Sequence, residues 1–304
     1  MMAARATAVM RGALRSNVPL KGLNSWRVGG PADRLFRPAD LDDLALFLSQ
    51  TAADEPLTWL GLGTNVLVRD GGVRGTVIAT HAALDDVVRL DNSRVRAQAG
   101  VPCAKLARRS ADWSLAGAEF MAGIPGTLGG ALAMNAGAFG GQTWDVVAAV
   151  DAIDRRGVIR RRLASEFSVD YRHVEPPCEE WFVAAELALK AGNMNVSRRE
   201  IQALLARRGV TQPLGVASCG SVFRNPPGDF AARLIDTAGL KGHRIGGACV
   251  SSMHANFIIN DAEASAADIE ALIGFVQRRV EDAHGVRLVP EVRIVGRAGA
   301  RNDT

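Results

Sequence analysis

Between Gly117 and Gly141 the chain reads Gly-Ala-Glu-Phe-Met-Ala-Gly-Ile-Pro-Gly-Thr-Leu-Gly-Gly-Ala-Leu-Ala-Met-Asn-Ala-Gly-Ala-Phe-Gly-Gly, with Glu119 its one charge. A flexible linker would carry Ser and charge instead of Ile, Leu and Met. Glycine lets a backbone approach a ligand closely and adopt positive φ, so the block reads as an ordered wall against a large ligand. Gly61-Leu-Gly-Thr-Asn65 repeats the logic upstream. Two such walls in one chain predict a ligand with two ends.

The rest of the composition narrows what that ligand can be. The chain has 304 residues, enough for two or three domains. Its 36 basic and 32 acidic residues leave +4, which suits an anionic small molecule better than nucleic acid. Aromatics are only 5% and are not interleaved with basic runs, so no base-stacking platform is expected. Cys103, Cys178, Cys219 and Cys249 form no Cys-x-x-Cys pair, which argues for a reducing compartment and against a zinc or iron–sulfur site. His243, His254 and His284 lack ligand spacing, so no metal is expected, and His254 reads as a hydrogen-bonded structural histidine. No apolar run is long enough for a bilayer. The first 32 residues lack Asp and Glu, but they read as an ordinary N-terminal helix and strand of a cytoplasmic protein.

The periodicity alternates between strand and helix. Asp40 caps a helix with Leu41, Leu44, Ala45 and Leu48 on one face, and Leu57–Leu60 is a strand feeding the Gly61 loop. Strands are expected over residues 75–80, 95–99, 146–153, 158–163 and 181–189, with a hairpin at Asp154-Arg-Arg-Gly157 and a helix over 103–113. Ser197-Arg-Arg-Glu200 reads as a capping box opening a helix that Gly209 ends. After a boundary at 210–217, Asp229 caps a helix to Gly239, Ser265 opens a longer one closed by Gly285, and strands run over 256–260 and 286–295. The class is α+β.

Four constellations could carry chemistry. Gly61-x-Gly-Thr-Asn65 follows a strand, so its N–H groups could cradle a pyrophosphate, but a strand rather than a helix follows it, which disfavours a Rossmann site. The Gly123-Ile-Pro-Gly126 turn and Gly129-Gly130 add to it, Pro125 making the turn rigid. Arg172, beside the single tyrosine Tyr171, offers a permanent cation, although alone it reads as a surface arginine. Gly220 before Ser221 allows a bend that presents a hydroxyl, with Arg224 and Asn225 near it; alone this is a polar turn. Glu291, after Pro290 in an apolar strand context, reads either as a buried acid of raised pKa or as a partner of Arg293 at a strand edge.

These blocks, with Asn24–Gly30, Met134-Asn-Ala-Gly-Ala138, Leu240-Lys-Gly242, His254–Phe257 and Pro290–Gly296, resemble in order the UDP-N-acetylenolpyruvoylglucosamine reductase (UDP-N-acetylmuramate dehydrogenase, MurB) family over nearly the whole chain. The resemblance implies a PCMH-type (VAO-like) FAD-binding fold. Its two lobes would be residues 1–80 and 81–209, followed by a C-terminal substrate-binding domain over 210–304. It implies a protein that uses NADPH to reduce FAD, then reduces the enolpyruvyl ether of UDP-N-acetylglucosamine; the sequence does not fix the oligomeric state, and a monomer is the default expectation. Gly61, Gly63, Thr64, Asn65, Gly123, Ile124, Pro125, Gly126, Gly130 and Asn135 would hold FAD. Arg172 and Glu291 would stabilise an enolate, and Ser221 would give it a proton. Tyr171, Asn225 and Lys241 would contact substrate. Thr64 and Arg224 stand where members often carry Ser and Lys. No long insertion follows Tyr171 and there is no second tyrosine, so the chain resembles the branch without a lid. Two other readings stay open at this point: another FAD-dependent dehydrogenase or oxidase of the same fold, and a nucleotide-binding module without catalysis.

Overall fold

The computed structural model describes residues 9–299. The helix expected at the N-terminus falls largely on residues 1–8, outside that range, and the strand after it is Ala13–Pro19. This strand opens a four-stranded sheet, ordered Ala13–Pro19, Pro31–Arg37, Val73–Ala79, Leu57–Leu60. Only its first pair is antiparallel. Val73–Ala79 is apolar on both faces because both are covered, as parallel strands require. Val73, Val77 and Ala79 join one cluster, while Ile78 joins Phe36, Leu44, Phe47 and Leu48 on the other side. The helix Leu41–Gln50 supplies the last three, capped by the Asp40 side chain at Asp43 N as its periodicity predicts.

The next sheet is antiparallel and five-stranded: Ile159–Leu163, Val147–Asp154, Glu180–Ala188, Arg94–Gln98, Val87–Arg89. Its first two strands are the expected hairpin, with Asp154 Oδ1 accepting from the N–H of Arg156 and Val158. The helix Cys103–Asp112 buries Leu106, Ala107 and Ala111 with Val95 and Leu187 of the sheet. The helix Met194–Thr211 packs Ile201 into the same cluster.

The C-terminal sheet runs Ala217–Ser221, Phe257–Asn260, Ala248–Val250, Arg244–Ile245. The helix Ala266–His284 covers it with Ile269, Leu272, Ile273, Val276 and Val280, opened by the Ser265–Asp268 capping box and closed by left-handed Gly285, as expected. Trp26, Val28 and Leu67 from far upstream share this cluster, and Trp26 Nε1 donates to Ile258 O at 2.7 Å.

Four local expectations need correction. The helix expected at Ser197 starts at Met194, capped by Asn193, and runs through Gly209 to Thr211; the Ser197 hydroxyl donates to buried Glu119 at 2.5 Å. Asp229 does not cap the next helix, Ala231–Thr237, because its carboxylate takes Arg233 and Phe230 N, while Asn225 Oδ1 accepts from Ala231 N. Only Arg293–Val295 of the 286–295 segment is a strand. The His254 ring is not hydrogen-bonded at Nδ1, which is buried without a partner, and burial pulls the imidazole below its ordinary value.

Candidate active site

A cavity of about 810 Å³ opens where these three units meet. One wall is the turn after Leu57–Leu60. Gly61, Gly63, Thr64 and Asn65 all line it. Gly63 is left-handed (φ +64°), and a Cβ there would lie 2.2 Å from Leu23 O, so no other residue fits. The facing wall carries Gly123, Ile124, Pro125, Gly126 and Gly130. A Cβ at Gly130 would meet only Thr127 Oγ1 at 3.8 Å, and one at Gly126 only Thr64 Oγ1 at 3.3 Å. The bare backbone there is open to a ligand, not crowded by protein. Thr127 Oγ1 is buried with no partner in the protein. A cradle of bare backbone and two threonine hydroxyls, one of them an orphaned donor, fits the diphosphate of FAD.

The reactive groups meet at one end. Ser221 closes the Ala217–Ser221 strand after left-handed Gly220 (φ +73°). Ser218 and Ser221 pair with Ile259 and Phe257, so the strand bulges there, a device that re-aims a side chain. Its hydroxyl has no hydrogen-bond partner among the described residues. Beside it, Glu291 N donates to Val222 O at 2.7 Å, and Phe223 bridges Pro290. Thus a residue 70 positions away is bonded through its backbone to the residue that follows the serine. Asn65 fixes Glu291 from the other side: its Nδ2 donates to Glu291 O at 3.2 Å and to Met134 Sδ at 3.4 Å, and its carbonyl accepts from Arg293 N.

The carboxyl of Glu291 faces Arg172, with Nε–Oε1 at 3.2 Å and side chains only 16% and 13% exposed. Burial pushes Glu291 above the ordinary carboxylate value, against the opposing pull of Arg172 and Arg224. Its partner is therefore Arg172 and not Arg293. Arg172 is itself pinned, Nη1 to Asn135 O at 3.0 Å and Nη2 to Gly137 O at 3.2 Å, with Tyr171 stacked against the guanidinium at 5.1 Å. The site can thus offer a fixed cation, a carboxyl biased towards its neutral form and a free hydroxyl to one small ligand.

Tyr171 and Asn225 also line the cavity, Asn225 spending its amide oxygen on the helix cap. Two expected residues are placed elsewhere. Asn135 lies outside the cavity lining: its Nδ2 serves Gln142 and Asp170 O, and its Oδ1 serves Trp144 N. Lys241 pairs with Asp236 at 2.7 Å and does not line the cavity. Cys219 lines it, but burial pushes its thiol up to about 12, so it packs and does not react. Sequence reasoning missed Thr127, whose signal was a hydroxyl directly after Gly126, and Arg208, which had no local signal.

Comparisons with known proteins converge on the same reading. A family model described as the UDP-N-acetylenolpyruvoylglucosamine reductase C-terminal domain matches residues 212–295, and one described as an FAD binding domain matches 32–162. The chain is 58% identical over 298 residues to the UDP-N-acetylenolpyruvoylglucosamine reductase of Methylococcus capsulatus, covering 98% of each. It is also 58% identical to that of Alkalilimnicola ehrlichii, covering 98% of this chain and 99% of the other. The crystal structure of the Thermus caldophilus reductase superposes with a TM-score of 0.79 at 32% identity, over 95% of this chain and 100% of that one. With its cofactor walls and reactive end already accounted for, the chain belongs to the UDP-N-acetylenolpyruvoylglucosamine reductase family.

Proposed function

We infer that this chain is the FAD-dependent reductase that converts the enolpyruvyl ether of UDP-N-acetylglucosamine to UDP-N-acetylmuramate with NADPH, a step of peptidoglycan precursor synthesis. The observation that carries the assignment of roles is the meeting of Ser221, Glu291 and the pinned Arg172 at one end of a glycine-walled cavity. FAD, when bound, supplies a hydride relay from NADPH to the terminal carbon of the enolpyruvyl double bond. Gly61, Gly63, Thr64, Gly126, Thr127 and Gly130 would hold its diphosphate.

The chain's own residues handle the charge that follows. As the terminal alkene carbon gains hydride, electron density moves onto the substrate carboxylate, giving an enolate. Arg172 faces that charge with a guanidinium whose position is fixed before reaction, so little reorganisation is needed. In its protonated form Glu291 can donate a hydrogen bond to the same group, and the upward shift that burial gives its pKa favours that form. Ser221 gives its proton to the carbon that carries the ether oxygen, completing addition of hydride and proton across the double bond with the ether bond intact. A serine hydroxyl is a weak acid, so the step depends on a strongly basic acceptor held at hydrogen-bond distance.

Asn225 and Tyr171 contact the sugar nucleotide. We assign no such contact to Lys241 in this conformation, given its pairing with Asp236. The same reading takes the chain as a cytoplasmic monomer of three parts, 1–80, 81–209 and 210–304. A general dehydrogenase of this fold would leave Ser221 and Glu291 without a task, and a binding module would leave all three reactive groups without one.

The test is an anaerobic flavin titration. NADPH should bleach the yellow band, and the enolpyruvyl substrate alone should restore it. In Ser221→Ala the bleaching should persist while restoration slows about 100-fold or more. Equal slowing of both phases would sink the proton-donor role.

A further inference from the structure

Ser221 is the last residue of its strand, so regular pairing stops where its hydroxyl has to be aimed. The pairing of Ala217–Ser221 with Phe257–Asn260 finishes at Ser221 and Phe257. Beyond it the backbone is held on that side by one residue, Asn256, which is 3% exposed and directly precedes Phe257–Asn260. Its carbonyl accepts from Val222 N at 2.9 Å. Its Oδ1 accepts from Phe223 N at 2.9 Å, and its Nδ2 donates to Phe223 O at 2.8 Å.

A carboxamide has the acceptor and the donor of a peptide group. Here it does for Phe223 what a paired strand residue would do. Phe223 is itself buried, so its N–H and C=O would be orphaned without Asn256. The other edge of the segment is taken up too. Val222 O accepts from Glu291 N at 2.7 Å, and Arg224 N donates to Val289 O at 2.9 Å. Residues 222–224 are therefore gripped by Asn256 on one side and by the Glu291 segment on the other. The turn before the serine offers no such hold. Among the described residues, nothing lies within 4 Å of a Cβ placed on left-handed Gly220.

We propose that Asn256 is the positioning residue of the proton donor: by clamping Phe223 it fixes the backbone that follows Ser221 and so aims the hydroxyl at the substrate carbon. Its carboxamide serves Phe223 at both atoms, so it acts through the backbone and not on the substrate. The inference rests on the reading of Ser221 as proton donor. A misplaced donor costs rate without costing affinity, because transfer depends steeply on geometry.

The experiment uses the FAD-loaded full-length chain and its Asn256→Ala and Asn256→Asp variants, each with and without Ser221→Ala. Anaerobic stopped-flow absorbance reads the two half-reactions separately. In Asn256→Ala, reoxidation of the flavin at saturating enolpyruvyl substrate should slow about 10- to 100-fold. The substrate concentration giving half the maximal rate, and the rate of reduction by NADPH, should each stay within about threefold of wild type. In the Ser221→Ala background the same substitution should slow reoxidation by less than about threefold, since no hydroxyl remains to be aimed. Equal slowing in the two backgrounds, or slowing shared with the NADPH phase, would overturn the proposal, because Asn256 would then only support the domain. Asn256→Asp keeps the acceptor for Phe223 N and loses the donor to Phe223 O at nearly constant volume. It should show a smaller slowing with the same dependence on Ser221, and it decides the matter should Asn256→Ala fail to fold. Wild-type reoxidation in Ser221→Ala alone would defeat the proton-donor reading itself. Slow reoxidation in Ser221→Ala beside unaffected Asn256 variants would defeat only the positioning role.

Discussion

Replacing Arg172 with lysine keeps the charge and removes the fork. In the native site three bonds leave one guanidinium: Nε to Glu291 at 3.2 Å, Nη1 to Asn135 O at 3.0 Å and Nη2 to Gly137 O at 3.2 Å. A lysine has one nitrogen on a flexible stem and cannot satisfy all three from one position. If it keeps Glu291, two charge-assisted bonds to carbonyls are lost, at about 1.5 kcal/mol each by the lower end of the usual range. Part of that roughly 3 kcal/mol falls on the free enzyme as well as on the transition state. Reduction of the enolpyruvyl ether should therefore slow by about 10- to 100-fold, corresponding to about 1.4–2.8 kcal/mol. Reduction of the flavin by NADPH should change by less than about threefold, because no enolate forms in that step. Stopped-flow absorbance of the flavin, with each half-reaction started separately under anaerobic conditions, reads both numbers. Equal slowing in the two phases would refute the reasoning, since it would mean that Arg172 shapes the cavity rather than the enolate's environment. A wild-type rate in the second phase would refute the need for a fork.

The remaining expectations concern ionisation and the joints of the fold. Burial raises Glu291, so its neutral form persists to higher pH than an ordinary carboxyl, and reduction of the ether should decline as pH rises through that value. In Glu291→Gln the same step should be slower and that decline absent from its pH profile; retention of the limb would assign it to another group. Gly130→Leu puts a side chain into open cavity space and should abolish FAD retention while circular dichroism and melting of the apo chain stay close to wild type. Asp70 accepts from Ala266 N at 3.0 Å and Ala267 N at 2.9 Å, so Asp70→Ala should cost about 1–2 kcal/mol of stability, read as a melting temperature lower by a few degrees.

The parts of the site that were legible in the sequence are those whose signal is local. Glycine spacing marks the walls because a turn that approaches a ligand needs its bare backbone within a few residues. The helix from Ser265 to Gly285 was equally legible, since its cap, face and stop are all contained in its own segment. What could not be read depends on partners distant in sequence. Asn135 sits inside a glycine-rich motif, yet its side chain is consumed by Gln142, Asp170 and Trp144, and its carbonyl holds Arg172. Ser197 has the spacing of a cap, but Glu119, 78 residues earlier, takes its hydroxyl while Asn193 caps the helix. Arg208 has no motif at all, and only the tertiary fold turns it towards the cavity.

The segment Gly61–Asp70 explains how a reactive end can be assembled from such separate pieces. Its first residues form the cofactor wall. Asn65 then grips Glu291 and Arg293 by their backbones, and Val66–Val68 pairs in parallel with Arg293–Val295. Arg69 forms a two-bonded pair with Glu270, and Asp70 caps the helix that covers the C-terminal sheet. One short stretch therefore carries the register between the glycine wall and the carboxyl of Glu291. This also gives a physical reason for the short Arg293–Val295 strand. Glu291 has to bond Val222 beside Ser221 and Asn65 beside the wall, which draws it out of a regular ladder and leaves only the following residues to pair. The C-terminal unit is thus held to the cofactor wall through the bonds of Asn65 to Glu291 and Arg293 and the parallel ladder that follows, and the separation of Ser221, Arg172 and Glu291 in sequence does not loosen their arrangement in space.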